Sequence, residues 1–284
     1  MKVLTTKGAF RSALAEARAG GQSVGLVPTM GALHAGHLSL IDAARERCGL
    51  VAVTIFVNPL QFGDDTDFNA YPRRLQEDVA CCESAGVGVV FAPSENETYP
   101  AGRSGTSVVP GPLASRLEGA SRPGHFVGVT TIVTKLLSLA DGCVAFFGEK
   151  DFQQLVIVRQ LVDDLDLPAE IVGCPTVREP DGLAMSSRNR RLAPADREAA
   201  GSLWRSLVAG RDAVAGGERD PQVVASAMEK VLGEQQAVVT DYAAVADPLD
   251  LSPLETIGGE VRLLVAARVG SVRLIDNISA RPAA

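Results

Sequence analysis

An α/β fold is predicted: an open parallel sheet with helices on both faces, then a smaller α+β C-terminal domain. Three features of the chain predict it. Through residues 1–177, short β-branched runs alternate with stretches of helical periodicity, the order that right-handed βαβ crossovers require. The strand-like runs are apolar throughout instead of alternating, as strands covered on both faces are. Beyond Arg178, two helical segments precede three consecutive strand-like runs, which suits a small α+β unit. The first part is thus Rossmann-like. The expected division is 1–177 and 178–284, with the linker near Val177–Asp181.

Ser23–Thr29 (SVGLVPT) reads as a buried strand, followed by a glycine-containing turn and a helix over about His37–Cys48. Leu50–Val57 is the second strand. The loop NPLQFGDDTDFNAY leads to a helix expected to begin near Pro72, since proline suits a first helical turn. Val87–Ala92 is the third strand, Phe126–Ala140 carries helical spacing, Cys143–Phe147 is a strand, Phe152–Leu165 a helix, and Ile171–Val177 closes the series. In the second part, Pro194–Ala215 and Pro221–Gln235 read as helices; Val238–Val245, Val261–Val269 and Val272–Asp276 read as strands. In open parallel sheets, ligands sit beyond the carboxyl ends of the strands, so the loops leaving those ends are where chemistry is sought.

Of 284 residues, 46% are hydrophobic and 21% charged, close to the globular average. The excess of 34 acidic over 27 basic residues argues against a nucleic-acid surface, which needs clustered Lys and Arg, but not against a small basic pocket. The N-terminus lacks the apolar stretch of a signal peptide, and no apolar run approaches the ~20 residues that span a bilayer. Five cysteines without a CxxC pair are expected to be reduced thiols in a cytoplasmic protein. Neither nucleic acid nor a membrane is an expected partner. Lysine is scarce, with Lys2, Lys7, Lys135, Lys150 and Lys230 the full set, so a lysine in a glycine-bounded loop draws attention.

The strongest local signal is PTMGALHAGH, Pro28–His37, between a strand end and a helix start. His34 and His37 share one face of a first helical turn, Gly31 and Gly36 allow close approach of a ligand, and helix-start amides favour anions. Imidazoles there can donate to a phosphate oxygen as charge builds. The plainer alternative is a pair of structural histidines in a turn. Zinc is disfavoured because HxxH lacks the Glu of HExxH and His125 is the one other histidine. Lys150, in FFGEKD after Gly148, can neutralise phosphate, though a Lys–Asp pair before a helix is also an ordinary solvated cap. GLAMSSRN, Gly182–Asn189, offers hydroxyls and the Arg188 guanidinium to a pyrophosphate, or simply a serine N-cap. Asn58, Gln61 and Gln154 are carboxamides suited to a hydroxy acid, Arg122 and His125 can add positive charge, and Glu77–Asp78 could hold magnesium or face solvent.

With these residues assembled, the chain closely resembles the pantoate–β-alanine ligase (pantothenate synthetase) family. PTMGALHAGHLSLI is similar to that family's version of the HIGH motif of nucleotidylyltransferases. FVNPLQF, YPRRLQED, RPGHFVGVTTIVTKLL, FFGEKDFQQ and REPDGLAMSSRN follow in the family's order. The resemblance implies ATP-dependent activation of (R)-pantoate as pantoyl adenylate with release of pyrophosphate, then displacement of AMP by β-alanine to give pantothenate. It implies that ATP is bound by Met30, Gly31, Ala32, Leu33, His34, Ala35, Gly36 and His37, by Gly148, Glu149, Lys150 and Asp151, by Val177, and by Met185, Ser186, Ser187 and Arg188. Gln61 and Gln154 would bind pantoate, with Gln61 also near β-alanine, and Asn58 and Arg122 beside them. His37 would be the proton donor, His34 and Lys150 would stabilise phosphate charge, and Asp78 is the candidate ligand for Mg2+ accompanying ATP. A homodimer is also implied. Two alternatives stay open at this point: another nucleotidylyltransferase sharing HxGH, and a nucleotide-binding module without turnover.

Overall fold

The computed structural model describes residues 1–63, 65–103 and 105–283, apart from the side chains of 65–67. The chain divides into two compact units, Met1–Glu149 with Gln154–Pro175, and Lys150–Gln153 with Thr176–Ala284.

The first unit is a six-stranded parallel sheet. In chain order its elements are β1 (Lys2–Leu4), α1 (Lys7–Ala19), β2 (Val24–Thr29), α2 (Ala35–Arg47), β3 (Leu50–Ile55), α3 (Asp65–Ala70), α4 (Leu75–Ser84) and β4 (Val89–Phe91). There follow α5 (Glu95–Thr98), α6 (Glu118–Ser121), α7 (His125–Ala140), β5 (Cys143–Gly148), α8 (Phe152–Asp164) and β6 (Ala169–Cys174). The strand order is β1-β4-β3-β2-β5-β6. From β2 the chain builds outward through β3 and β4, then returns to add β5 and β6 on the other side. The order therefore reverses between β2 and β5, and a crevice at their carboxyl ends is where such sheets bind ligands. Val27, Ile41, Val53, Val90 and Phe146 lie in its core with no exposed surface, the two-sided burial that makes these strands read as unbroken apolar runs.

The second unit carries α9 (Pro194–Ala215), α10 (Pro221–Gly233) and an antiparallel sheet in the order β7-β8-β9, from Val238–Ala246, Val261–Val269 and Val272–Ala280. Leu203, Leu207 and Met228 from the helices pack with Leu263, Val265 and Ala267 from β8. Among the described residues, no helix is long and apolar enough to cross a membrane.

Three boundaries differ from expectation for identifiable reasons. Helix α4 begins at Leu75 instead of near Pro72, because the Arg73 guanidinium donates to the carbonyls of Phe68, Asn69 and Tyr71 and holds that segment as a turn. Strand β6 starts at Ala169 and ends at Cys174, ahead of Pro175, which has no N–H to continue a ladder. Residues 150–153 and 176–177 group with the second unit, not the first. The two opening elements, β1 and α1, were not read from the sequence. A three-residue strand shows no periodicity, and α1 buries only Phe10, Ala13 and Leu14.

Candidate active site

Met30–His37 leaves the carboxyl end of β2 at the point where strand order reverses. Thr29 starts the turn: its Oγ1 donates to the Thr54 carbonyl at 2.7 Å and accepts from the Gly31 N–H at 3.1 Å. Gly31 (φ 82°) and Ala32 (φ 53°) both take left-handed backbone, which an alanine adopts only where its surroundings impose it. Buried Asp78 imposes it. Its Oδ2 accepts from Ala32 N–H at 2.9 Å and its Oδ1 from Leu33 N–H at 2.8 Å. A Cβ on Gly31 would lie 2.7 Å from Asp78 Oδ2, so the glycine answers to the carboxylate as well as to its own φ. Both Asp78 oxygens thus accept from main-chain amides, and the carboxylate braces the turn. Glu77 pairs with Arg74 at the surface. No group of three His, Cys, Asp or Glu among the described residues is arranged to hold a metal.

His34 and His37 do not share a helical first turn, as expected from the sequence; His34 is the extended N-cap of α2, which begins at Ala35. Its Nδ1 accepts from Gly36 N–H at 3.1 Å, while His37 Nδ1 accepts from His34 N–H at 3.3 Å. These reciprocal bonds bring the ring centroids to 4.1 Å. Because Nδ1 is the acceptor in each ring, the proton of each neutral imidazole sits on Nε2. The arrangement presents imidazole donors beside the N-terminus of a 13-residue helix with no acidic residue in its first turn, where the backbone dipoles favour an anion.

The carboxamides that follow β3 form a buried relay in the same unit. Tyr99 O–H donates to Asn58 Oδ1 at 2.7 Å, and Asn58 Nδ2 donates to Gln61 Oε1 at 3.1 Å and to the Gly128 carbonyl at 3.0 Å. Gln61 Nε2 then contacts Met30 Sδ at 3.0 Å, tying this turn to the histidine loop. Burial pushes the Tyr99 phenol well above its ordinary value, so it stays a donor. Arg122 and His125 act on the Gln61 main chain. His125 Nδ1 donates to the Gln61 carbonyl at 2.7 Å and Arg122 Nη2 donates to it at 3.2 Å, while Arg122 Nη1 donates to His125 Nε2 at 3.3 Å. A carbonyl can only accept, so these contacts place a proton on His125 Nδ1. Gln154 is half-buried on the first turn of α8, while Gly148 and Glu149 end β5 and begin the next turn.

In the second unit, Lys150 is half-buried and its Nζ lies 3.4 Å from Asp151 Oδ1. Val177 accepts from Met185 N–H at 2.9 Å, and Arg178 bridges to Ala184, so the MSSRN segment leaves a short hairpin. Ser186 Oγ accepts from Arg188 N–H at 3.2 Å and caps the turn Ser187–Arg191, so the serine-cap alternative is realised in the fold. Asn189 Nδ2 donates to Glu179 Oε1 and to the Ala184 carbonyl, and the Arg197 fork grips Asp181 and Glu179.

The sequence profile described as Pantoate-beta-alanine ligase matches residues 2–279. The chain belongs to that family. It is 55% identical over 270 residues to the pantothenate synthetase of Salinispora arenicola, covering 95% of each chain, and 50% identical over 278 residues to that of Moorella thermoacetica, covering 98% of each. Among solved structures, pantothenate synthetase from Thermus thermophilus matches with a TM-score of 0.92 at 45% identity, covering 98% of this chain and 99% of that one. The pantoate-beta-alanine ligase of Francisella tularensis, solved with beta-gamma ATP and β-alanine, matches with a TM-score of 0.81 at 35% identity, covering 98% and 97%. The chain is therefore an enzyme of the ligase class.

Several residues around the ligase motifs escaped sequence reasoning. Gly128 is one: a Cβ there would come within 2.3 Å of the Leu60 carbonyl, so only glycine on α7 lets the 59–61 turn lie against the helix. Tyr99, Asp276 and Asn277 are others, each distant in sequence from what it holds. A glycine inside the apolar helical run FVGVTTIV was the one available signal.

Proposed function

We propose that the protein joins (R)-pantoate to β-alanine at the expense of ATP, forming pantothenate, AMP and pyrophosphate by way of pantoyl adenylate. The reciprocally capped His34–His37 pair, with protons on Nε2, carries this reading, because it offers donors to phosphate oxygens at a helix N-terminus. The family match and the ATP and β-alanine named with the Francisella structure support it.

In the first half-reaction a pantoate carboxylate oxygen attacks the α-phosphorus, and the bond to the β-phosphate oxygen breaks as pyrophosphate leaves. Anion attacks polyanion, so positioning and charge stabilisation are the main needs. Met30–His37, Gly148–Asp151, Val177 and Met185–Arg188 are assigned to ATP. His34 and His37 donate hydrogen bonds from Nε2 to phosphate oxygens as charge builds there. Lys150, Ser186, Ser187 and Arg188 neutralise the charge of the triphosphate and departing pyrophosphate. Gln61 and Gln154 orient pantoate. Asn58 and Arg122 act on it through Gln61, one by its side chain and the other by its carbonyl. In the second half-reaction the β-alanine amine attacks the acyl carbon, the carbon–oxygen bond to AMP breaks, and the amine nitrogen loses a proton.

Magnesium would be held chiefly by the triphosphate's own oxygens, with Asp78 the carboxylate nearest the histidine turn by hydrogen bonding. A cytoplasmic homodimer completes the reading by analogy with the family. The deciding experiment incubates the protein with ATP, pantoate and β-alanine and resolves the nucleotide products. AMP and pyrophosphate in step with pantothenate are expected; stoichiometric ADP would overturn the adenylate route in favour of an acyl phosphate.

A further inference from the structure

Lys150 is held in the second unit through its main chain. Its carbonyl accepts from Asn277 Nδ2 at 2.8 Å, across 127 residues of sequence. The Asn277 amide is itself fixed, because its Oδ1 accepts from Arg262 Nε at 2.6 Å. Rotating that amide would set oxygen against the Lys150 carbonyl and NH2 against a guanidinium, so its orientation admits no flip. The Arg262 guanidinium also stacks over the Phe152 ring at 3.8 Å, gripping the same turn two residues on. On the other side, the Asn277 carbonyl accepts from Arg178 Nη2 at 3.2 Å, and Arg178 forks Asp276 at 2.6 and 3.0 Å. Arg178 opens the hairpin that leads into MSSRN, and its Nη1 donates to the Gly182 carbonyl within it. Asp276 and Asn277 are only 2% and 3% exposed, although their strand is otherwise buried through apolar side chains such as Val272 and Leu274. Buried polar groups on an apolar strand need a compensating set of partners, and here those partners are the two polar segments assigned to ATP.

We infer that Asn277 is a positioning residue for Lys150, setting the place of the ammonium through the Lys150 carbonyl. With Asp276, it also ties that turn to the hairpin carrying Met185–Arg188. The inference rests on the role given above to Lys150. An ammonium that neutralises a triphosphate works only from the right place, so displacing its backbone acts on adenylate formation and spares aminolysis, where less phosphate charge remains.

The test compares the two half-reactions by single-turnover quench in Lys150→Ala, Asn277→Asp and the double variant. Asn277→Asp keeps an acceptor for Arg262 and replaces the donor facing the Lys150 carbonyl with an oxygen. Adenylate formation is expected to fall roughly tenfold or more in Asn277→Asp, with conversion of supplied pantoyl adenylate within about twofold of the parent. The double variant should be no slower than Lys150→Ala alone, since one residue acts through the other. If Asn277→Asp does not fold, Asn277→Ser, whose hydroxyl is too short to reach the carbonyl, takes its place. Normal adenylate formation in the Asn277 variant beside a crippled Lys150→Ala would overturn the positioning role alone. Equal loss in both half-reactions, or additive losses in the double variant, would also overturn it. Normal adenylate formation in Lys150→Ala would instead overturn the underlying reading of Lys150.

Discussion

Between His34 and His37 the bonds that shape the site run within three residues of sequence, whereas Lys150 and the hairpin at 178–184 are held by Asp276 and Asn277 near the far end of the chain. Both regions are polar turns that follow a strand, yet they are built from different ranges of interaction. The histidine turn is a helix cap, a local structure that a short segment largely makes for itself. The lysine turn has no such autonomy; its place depends on a strand laid down last. Even the histidine turn borrows one distant group, Asp78, whose oxygens accept from the amides of left-handed Ala32 and of Leu33 after it. Local bonds therefore suffice for orienting a side chain, and long-range ones enter where the main chain must be held against its own preference.

Removing the imidazole is the sharpest way to break the local region. His37→Ala should lower turnover on the order of 10²–10³-fold, the usual loss for a missing transition-state donor. Because Nδ1 also caps His34 N–H, a loss of about 1 kcal/mol of stability should accompany it. His37→Asn, which offers a capping acceptor without the imidazole, should restore the stability and not the rate. Chemical denaturation alongside steady-state assays would separate the two.

Asp78→Ala tests the borrowed long-range element. It leaves the Ala32 and Leu33 amides without their acceptor, at roughly 1–3 kcal/mol for each buried group. Urea unfolding should show that loss, and the KM for ATP should rise. Asp78→Asn, retaining one acceptor oxygen, should show about half the effect. Gly128→Ala probes the close approach under the carboxamide turn. Its methyl would displace the Leu60–Gln61 backbone, costing ~1–3 kcal/mol and raising the KM for pantoate more than that for ATP.

The smallest effect concerns the rim of the second region. The Arg197 fork holds the Asp181 carboxyl below the ordinary carboxylate range. For a carboxyl lowered in the folded state, the contribution is complete above the unfolded value near ~3.9 and is lost as pH falls through the folded value. Asp181 is half-exposed, so solvent screening limits the pair to about 0.2–1 kcal/mol. The melting temperature of Asp181→Asn should sit slightly below the parent at neutral pH and converge with it on strong acidification. A gap that persists undiminished at low pH would assign the stabilisation to something other than this ion pair.

What was legible in advance followed from range. Parallel strands covered on both faces must be apolar along their length, so β2, β3 and β5 stood out from neighbouring turns, and α9 and β8 were read with their observed ends. The motif turn was legible because a glycine, two histidines and a helix start lie within ten residues. Asp78 was not, since LQED carries no mark of which amides its carboxylate will meet. Nor was the bond from His125 and Arg122 to the Gln61 carbonyl, for nothing in SRPGHF shows that its side chains would meet a main-chain oxygen 61 to 64 residues away.

By itself the sequence determined the alternation of elements and the apolar faces, because each depends on residues within a turn or two of one another. Tertiary structure alone decided which carboxylate braces the left-handed turn at Gly31–Ala32, why Gly128 has no side chain, and how Asn277 reaches Lys150. Those depend on elements brought side by side from 46 to 127 residues apart, and no local pattern specifies which atoms such neighbours present.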